Sequence, residues 1–424
     1  MTALDHKGRP IVAVTGVGVI SSLGRGRDEN WKRLTAGESG IHRINRFATE
    51  GLKTTVAGTV DFMDLANHSA PELSYALASG AAHEALDQAR LPKGHFPGPL
   101  YLAAPPVEME WQHRFQLDKT IPADEREGYT RLLEAAREGD YNELYPLLTF
   151  NGTADRLSDE LGTKGLPISL STACASGATA VQLGVEAIRR GETDAALCVG
   201  TDGSVTTEAL IRFSLLSALT TQNEHPTKAA KPFSKDRDGF VMAEGAGALV
   251  LESLESAKAR GATILATIAG CGEKADHFHR TRSSPDGSPV IAAVSRALED
   301  ANVSTEDIDY INAHGTSTPE NDRMEYQSLK AVFGEGIHTT PISSNKSMIG
   351  HTLTAAGAIE AVFSVMTLQH GRIPPTINYD TPDPDIPLDV VPHEARDADV
   401  RMVLSNSFGF GGQNACLVLS NQHS

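Results

Sequence analysis

The stretch Pro10-Ile-Val-Ala-Val-Thr-Gly-Val-Gly-Val-Ile20 reads as a buried strand running into a glycine turn, and it has a counterpart in Ile264-Leu-Ala-Thr-Ile-Ala-Gly-Cys-Gly272. A strand ending in Gly-x-Gly first invites a dinucleotide-binding reading. The spacing rejects it, because Ser21 stands at the third glycine position and no acidic residue closes a second strand where a ribose would need one. The recurrence instead raises duplication. Each half also ends in an apolar strand beside glycines, Ala195 to Gly200 in one and Val400 to Ser405 then Ala415 to Leu419 in the other, as two repeated α/β units require. Chance similarity of short strands is the competing reading, and both stay open on these residues alone.

The chain of 424 residues exceeds what one hydrophobic core usually serves, so two packed halves or one large pseudo-symmetric α/β unit are expected. Apolar residues make up 40% and aromatics only 5%, with 38 Gly, a composition suited to helices packed closely on sheets. A formal net charge of -17 argues against nucleic acid as partner, since phosphate binding needs a basic face. Four cysteines, at 174, 198, 271 and 416, show no paired spacing, which points away from disulfides and a Cys-based zinc site and towards a reducing cytoplasm. The sequence does not open on a charged stretch followed by an apolar one, and no run of about 18 apolar residues occurs, so neither a signal peptide nor a membrane span is expected. Between Glu108 and Thr163 the chain turns charged and helical, with Trp111, Phe115, Tyr129, Leu132, Leu133, Tyr141, Leu144, Tyr145 and Leu148 breaking acidic stretches. That segment reads as an excursion that caps the core or builds a partner surface.

Four segments carry residues fit for chemistry. Pro167-Ile-Ser-Leu-Ser-Thr-Ala-Cys-Ala-Ser-Gly177 reads strand, sharp turn, helix, which sets Cys174 at a helix N-terminus where the dipole and free N–H groups favour thiolate. Cys198, Cys271 and Cys416 lie in apolar strands and read as structural. Asp309-Tyr-Ile-Asn-Ala-His-Gly-Thr-Ser-Thr-Pro-Glu-Asn-Asp322 delivers His314 to a strand end, beside a loop of hydroxyls and backbone donors. Pro341-Ile-Ser-Ser-Asn-Lys-Ser-Met-Ile-Gly-His351 places Lys346 and His351 in the turn before a helix. On that helix Glu360 lies among Ile359, Val362, Phe363 and Met366, so it needs a partner, and Lys346 is the candidate. Ser405-Asn-Ser-Phe-Gly-Phe-Gly-Gly-Gln-Asn414 alternates glycine with Phe408 and Phe410, a loop able to swing a ring and to aim N–H groups at an oxyanion. Taken singly, each has a bland reading: a buried cysteine, a structural histidine, a solvated lysine, a glycine turn. His277 and His279 beside Asp276 lack a third ligand, so no metal site is expected.

Together these segments resemble the β-ketoacyl-acyl carrier protein synthases of the elongating type, in the thiolase superfamily. Lys231-Pro-Phe-Ser-Lys-Asp-Arg-Asp-Gly-Phe-Val-Met-Ala-Glu-Gly-Ala-Gly247 and Val391-Pro-His-Glu-Ala-Arg396 extend the likeness over the whole chain outside residues 106–165. It is similar also to the variant devoted to very-long-chain acyl groups. The resemblance implies a thiolase fold, with duplicated βαβαβαββ halves in five layers (α-β-α-β-α), an N-terminal half over 1–260 holding the excursion at about 106–165, and a C-terminal half over 261–424.

In function it implies decarboxylative Claisen condensation of an acyl group on Cys174 with malonyl-acyl carrier protein, giving 3-oxoacyl-acyl carrier protein. Cys174 and Phe410 would supply oxyanion N–H groups, with Phe408 in the gate. His314 and His351 would stabilise the enolate, and this His-His pair implies elongation rather than initiation from acyl-coenzyme A. Lys346 would orient the site and pair with Glu360. Thr316 and Thr318 would hold the pantetheine arm, Phe213 and Val107 would line the acyl tunnel, and Asp276 would support the decarboxylation site. No resident cofactor is implied, because 4'-phosphopantetheine arrives on the carrier. The partners implied are acyl carrier protein, a specialised carrier included, and a second synthase chain in a homodimer or a heterodimer.

Three departures from the family pattern stand out. Leu65-Ala-Asn-His-Ser-Ala-Pro-Glu-Leu-Ser74 replaces a Lys/Arg cluster, Ser217 stands where an entrance arginine is expected, and 106–165 is long and charged. These put the usual carrier-docking patch in doubt and suggest an altered, longer acyl specificity. The alternatives are a non-catalytic or partner-dependent subunit of a heterodimeric synthase, a thiolase, for which no second cysteine sits suitably, and a Cys-His hydrolase, for which no separate water base is evident.

Overall fold

The computed structural model describes residues 3–63, 65, 69–107, 109–119, 128–138 and 145–421. Ala66, Asn67 and His68 of the replaced docking stretch, and Glu108, Tyr141 and Leu144 of the excursion, lie outside the described residues. The first half contributes β1 (Val12–Ser21), α1 (Ala70–Ala89), β2 (Leu100–Ala103), β3 (Ile168–Leu170), α2 (Ser176–Arg189), β4 (Ala195–Asp202), α3 (Thr207–Leu215) and β5 (Gly245–Ser253). The second contributes β6 (Ala266–Ala275), α4 (Ser288–Ala301), β7 (Tyr310–Asn312), α5 (Pro319–Phe333), β8 (Ile342–Ser343), α6 (Ala356–His370), β9 (Met402–Phe408) and β10 (Gln413–Ser420).

Duplication is visible in the strand order. The first half pairs as β3-β2-β4-β5-β1 and the second as β8-β7-β9-β10-β6, so each runs third, second, fourth, fifth, first. In both, the third, second and fourth strands are parallel and the remaining pairings antiparallel. The half-sheets join where Val12–Val14 of β1 meets Ala266–Ile268 of β6. Helix α1 covers one half-sheet and α4 the other, while α2 and α6 pack on each other between them, giving five layers. Strands β1, β4 and β5 are buried at every residue, which is why they read as continuous apolar runs rather than alternations.

The Gly-x-Gly pairs that opened the sequence reading are not turns. They lie inside β1 and β6 and let a helix sit directly on the strand. A Cβ at Gly16 or Gly18 would fall 2.0 Å from the carbonyl oxygen of Ala85 or Ala81 on α1. In the second half a Cβ at Gly270 or Gly272 would fall 2.3 or 2.1 Å from the carbonyl of Ala297 or Ala293 on α4. The same device joins the central helices, where Gly177 of α2 faces the Ala358 amide and Gly357 of α6 faces the Ala178 amide, at 2.4 and 2.5 Å from a hypothetical Cβ. This crossing brings the N-terminal ends of α2 and α6 together, and the candidate site is built there.

Within the excursion, helices at Trp111–Lys119 and Gly128–Glu138 share a small core of Leu117 and Ala135, leaving Trp111, Phe115, Tyr129, Leu133 and Tyr145 exposed. Among the described residues no helix is long and apolar enough to cross a membrane.

Candidate active site

Cys174 sits on a sharp elbow between β3 and α2. Ala173, one residue before it, holds φ at 49°, a left-handed conformation that non-glycine residues rarely adopt and that marks a constrained turn. Ser176 pins the turn, its hydroxyl accepting from the Thr172 amide at 2.7 Å and donating to the Ala173 carbonyl at 2.6 Å. His351 lies just ahead of α6, across the Gly177–Gly357 crossing. The Cys174 sulfur and a ring nitrogen from each of His314 and His351 lie within 4.8 Å of one another.

His314 follows β7, and its backbone is clamped from two sides. The amides of His314 and Gly315 donate to the Glu325 carboxylate of α5 at 2.9 and 2.7 Å, while the His314 carbonyl accepts from Lys346 Nζ at 2.7 Å. Lys346 also pairs with Glu360, both side chains buried, as the apolar surroundings of Glu360 required. The Leu353 amide donates to His351 Nδ1 at 3.2 Å, so the neutral ring carries its proton on Nε2. The two imidazoles stand edge to face with centroids 5.4 Å apart, flanked by Phe408 against His314 and Phe240 against His351.

Burial and the Lys346 cation hold both imidazoles well below the usual histidine range, and His351 also disfavours charge on His314. Both are therefore neutral at pH 7, able to donate or to accept a proton. Burial pushes the Cys174 thiol up to about 11, opposed by the Phe410 N–H that points at the sulfur. The expected lowering of this thiol by the helix start is thus outweighed by burial, and its proton has to leave during attack. Burial likewise pushes the Glu325 and Glu360 carboxyls up to about 7.

A cavity of about 370 Å³ opens above this cluster, with Cys174, His314, His351, Phe408 and Phe410 at its base. Thr316 and Thr318 line it, their hydroxyls 2.9 Å apart, and Thr318 caps α5. Phe213, on the last turn of α3, also lines it and stacks edge-on against Phe240. Asp276 reaches the wall, but its carboxylate is occupied by the amides of Phe278 and Ser284 and the Ser284 hydroxyl, so it braces a loop. Val107 is not brought to this cavity; it lines a second, smaller one with Phe150, Glu208 and Arg212.

Among the described residues, Cys174, His314 and His351 form the one group of such atoms close enough to hold an ion. The nearby Lys346 ammonium disfavours a second cation there.

Sequence reasoning missed Glu325, whose position on a charged helix gave no sign that it turns inward under His314. It also missed Asp202, which ends β4 and accepts from the Thr354 amide and hydroxyl, fixing the approach to α6. Glu244 lay inside a quoted motif without a role; it is buried and paired with Arg46.

Comparison with known proteins follows the same lines. Residues 10–257 match the N-terminal domain of the β-ketoacyl synthase family and residues 265–380 its C-terminal domain. The chain is 36% identical over 418 residues to a 3-oxoacyl-[acyl-carrier-protein] synthase 2 of Staphylococcus aureus (strain COL), covering 96% of this chain and 97% of the relative. A β-ketoacyl synthase from Burkholderia phymatum STM815 superposes with a TM-score of 0.84 at 33% identity, over 98% of this chain and 100% of that one. A ketosynthase solved in complex with its type II polyketide acyl-carrier protein gives a TM-score of 0.84 at 32% identity, over 97% and 99%.

Proposed function

The chain belongs to the β-ketoacyl synthase family, and from that premise we propose how it performs the decarboxylative Claisen condensation of fatty-acid elongation, giving a 3-oxoacyl-acyl carrier protein. The observation that carries the reading is one cysteine thiol and two neutral imidazoles within 4.8 Å, at the base of a cavity, with the Phe410 N–H on the sulfur.

In the first half-reaction the Cys174 sulfur attacks the acyl thioester carbonyl. Its proton passes to a neighbouring neutral imidazole and on to the departing pantetheine thiolate, and the oxyanion accepts from the Cys174 and Phe410 amides. In the second, a malonyl thioester enters, its C–C bond to the carboxylate breaks, and carbon dioxide leaves. The enolate oxygen accepts from the imidazole N–H groups, a contact that strengthens as charge develops. The Phe240 and Phe408 rings around the histidines favour loss of the carboxylate as neutral carbon dioxide. The carbanion then attacks the acyl carbonyl on Cys174, whose thiolate departs and regains a proton. Burial and Lys346 keep both rings neutral, and Lys346 anchors the His314 backbone beside its partner Glu360.

The substrate arm enters on an acyl carrier protein, past Thr316 and Thr318, and no resident cofactor takes part. For the acyl chain we propose a path past Phe213 towards the cavity lined by Val107; Arg212, the neighbour of Phe213, lines that cavity and supports the continuity. Pairing with a second synthase chain is supported by β3, an edge strand with Ile168 exposed and Leu166 exposed just ahead of it. The complete Cys-His-His-Lys set speaks against a non-catalytic subunit. Incubation with acyl- and malonyl-acyl carrier protein should give the 3-oxoacyl product and carbon dioxide, and Cys174→Ala should give no condensation product; equal yield from that variant would refute the assignment.

A further inference from the structure

The cavity mouth carries charge where the sequence departs from expectation. With a net charge of -17, the protein repels an anionic substrate at long range, so productive entry needs local positive charge at the opening. Residues 65–74 offer no Lys or Arg, and Ser217 on one side of the mouth is neutral. The loop that follows β6 presents Arg280 and Arg282, both exposed and both lining the cavity that also holds Cys174. We propose that Arg280 and Arg282 bind the phosphodiester of the carrier's pantetheine arm; this rests on the condensing-enzyme reading above.

Three observations support the assignment. First, among the described residues no ion pair or side-chain hydrogen bond engages Arg280 or Arg282, so both guanidinium forks are available for the bidentate contact that phosphate oxygens favour. Second, their loop is held in place: Asp276 accepts from Phe278 and Ser284, and the Arg280 carbonyl accepts from the Gly411 amide at 2.8 Å. Fixed backbone with free side chains lowers the ordering cost of binding. Third, the opposing charges at the mouth are already engaged. Glu320 pairs with Arg323 at 2.9 Å, and Asp238 accepts from Thr220 and Thr221. Thr316 and Thr318 lie in the same cavity as Cys174, so an arm whose phosphate rests on the arginines runs inward past these hydroxyls to the thiol.

The test compares an acyl-phosphopantetheine, the same acyl-pantetheine without phosphate, and the acyl carrier protein, using wild type, Arg280→Ala/Arg282→Ala and Arg282→Glu. In both variants KM for the phosphorylated arm and for the carrier should rise about ten-fold with kcat unchanged, and the salt dependence of kcat/KM should flatten, as for rim charges. The unphosphorylated substrate should be unaffected. Equal effects with and without phosphate, or no effect on either, would overturn the proposal. An effect confined to the intact carrier would place the arginines against the carrier's protein surface and overturn the phosphate assignment. A wild-type protein that condenses none of the three would instead fail the condensing-enzyme reading, so the two failures are distinguishable.

Discussion

Replacing Lys346 by Met strands a carboxylate in the core. The Lys346 and Glu360 side chains are 3% and 2% exposed, and the ammonium also holds the His314 carbonyl at 2.7 Å. Removing one member of a buried pair costs about 3–5 kcal/mol because the other is left uncompensated. For 424 residues an unfolding entropy of about 0.9 kcal/mol/K follows from about 2.1 cal/mol/K per residue, so the melting temperature should fall by about 3–6 °C. The loss should depend on pH. Burial already pushes the Glu360 carboxyl up to about 7, and without Lys346 it rises further, above its unfolded value. A group raised in the folded state contributes stability at low pH that is lost as pH rises through the folded pKa, so the defect should be larger at pH 8 than at pH 6, by about 1–3 kcal/mol. Lys346→Met/Glu360→Leu should recover most of the loss at both pH values. Thermal and urea melts of the two single variants and the double variant at pH 6 and 8 provide the measurement. A Lys346→Met protein within about 0.5 kcal/mol of wild type, or a double variant as unstable as the summed singles, would refute the buried-pair argument.

Three other perturbations separate the parts of the site. Glu325→Ala removes the acceptor for the His314 and Gly315 amides, so condensation should slow about 100-fold by misplacing the ring, while Cys174 acylation persists; single-turnover kinetics distinguish the steps. Gly270→Ala puts a methyl 2.3 Å from the Ala297 carbonyl and should cost about 1–3 kcal/mol in a urea melt, with catalysis retained in the folded fraction. Iodoacetamide capture of Cys174 should accelerate steadily from pH 7 to 9 without a plateau, because the thiol is pushed up to about 11; a plateau near pH 7 would show a pre-formed thiolate.

The chemistry of the site was legible because its residues carry local signatures: a strand-turn-helix around Cys174, a strand-end His314, and a buried Glu360 that demanded Lys346. Their convergence depended on the duplication, which the residues offered only as recurring strand and Gly-x-Gly patterns and which the family resemblance implied. What sequence reasoning took for glycine turns are strand interiors shaved for helix contact, because a Gly-x-Gly pair looks the same whether it frees the backbone or merely omits two side chains. Glu325 was hidden for a related reason: on an acidic helix, a carboxylate that turns inward carries the same letter as one that is solvated. The thiol's protonation was read from the helix start alone, whereas burial, which opposes it, depends on residues far away in the chain. Val107 was assigned to the acyl tunnel by likeness, and it lines a second, smaller cavity, the one towards which the acyl path is proposed to run.

The most direct test is to load the enzyme with an acyl carrier substrate, isolate the adduct, add malonyl-acyl carrier protein, and follow intact protein mass with product and carbon dioxide. One acyl group should be found on Cys174 and discharge as 3-oxoacyl product with one carbon dioxide, while His314→Ala and His351→Ala variants should load but discharge slowly. An adduct on another residue, release as free acid, or discharge at wild-type rate without either histidine would contradict the assignment of Cys174, His314 and His351.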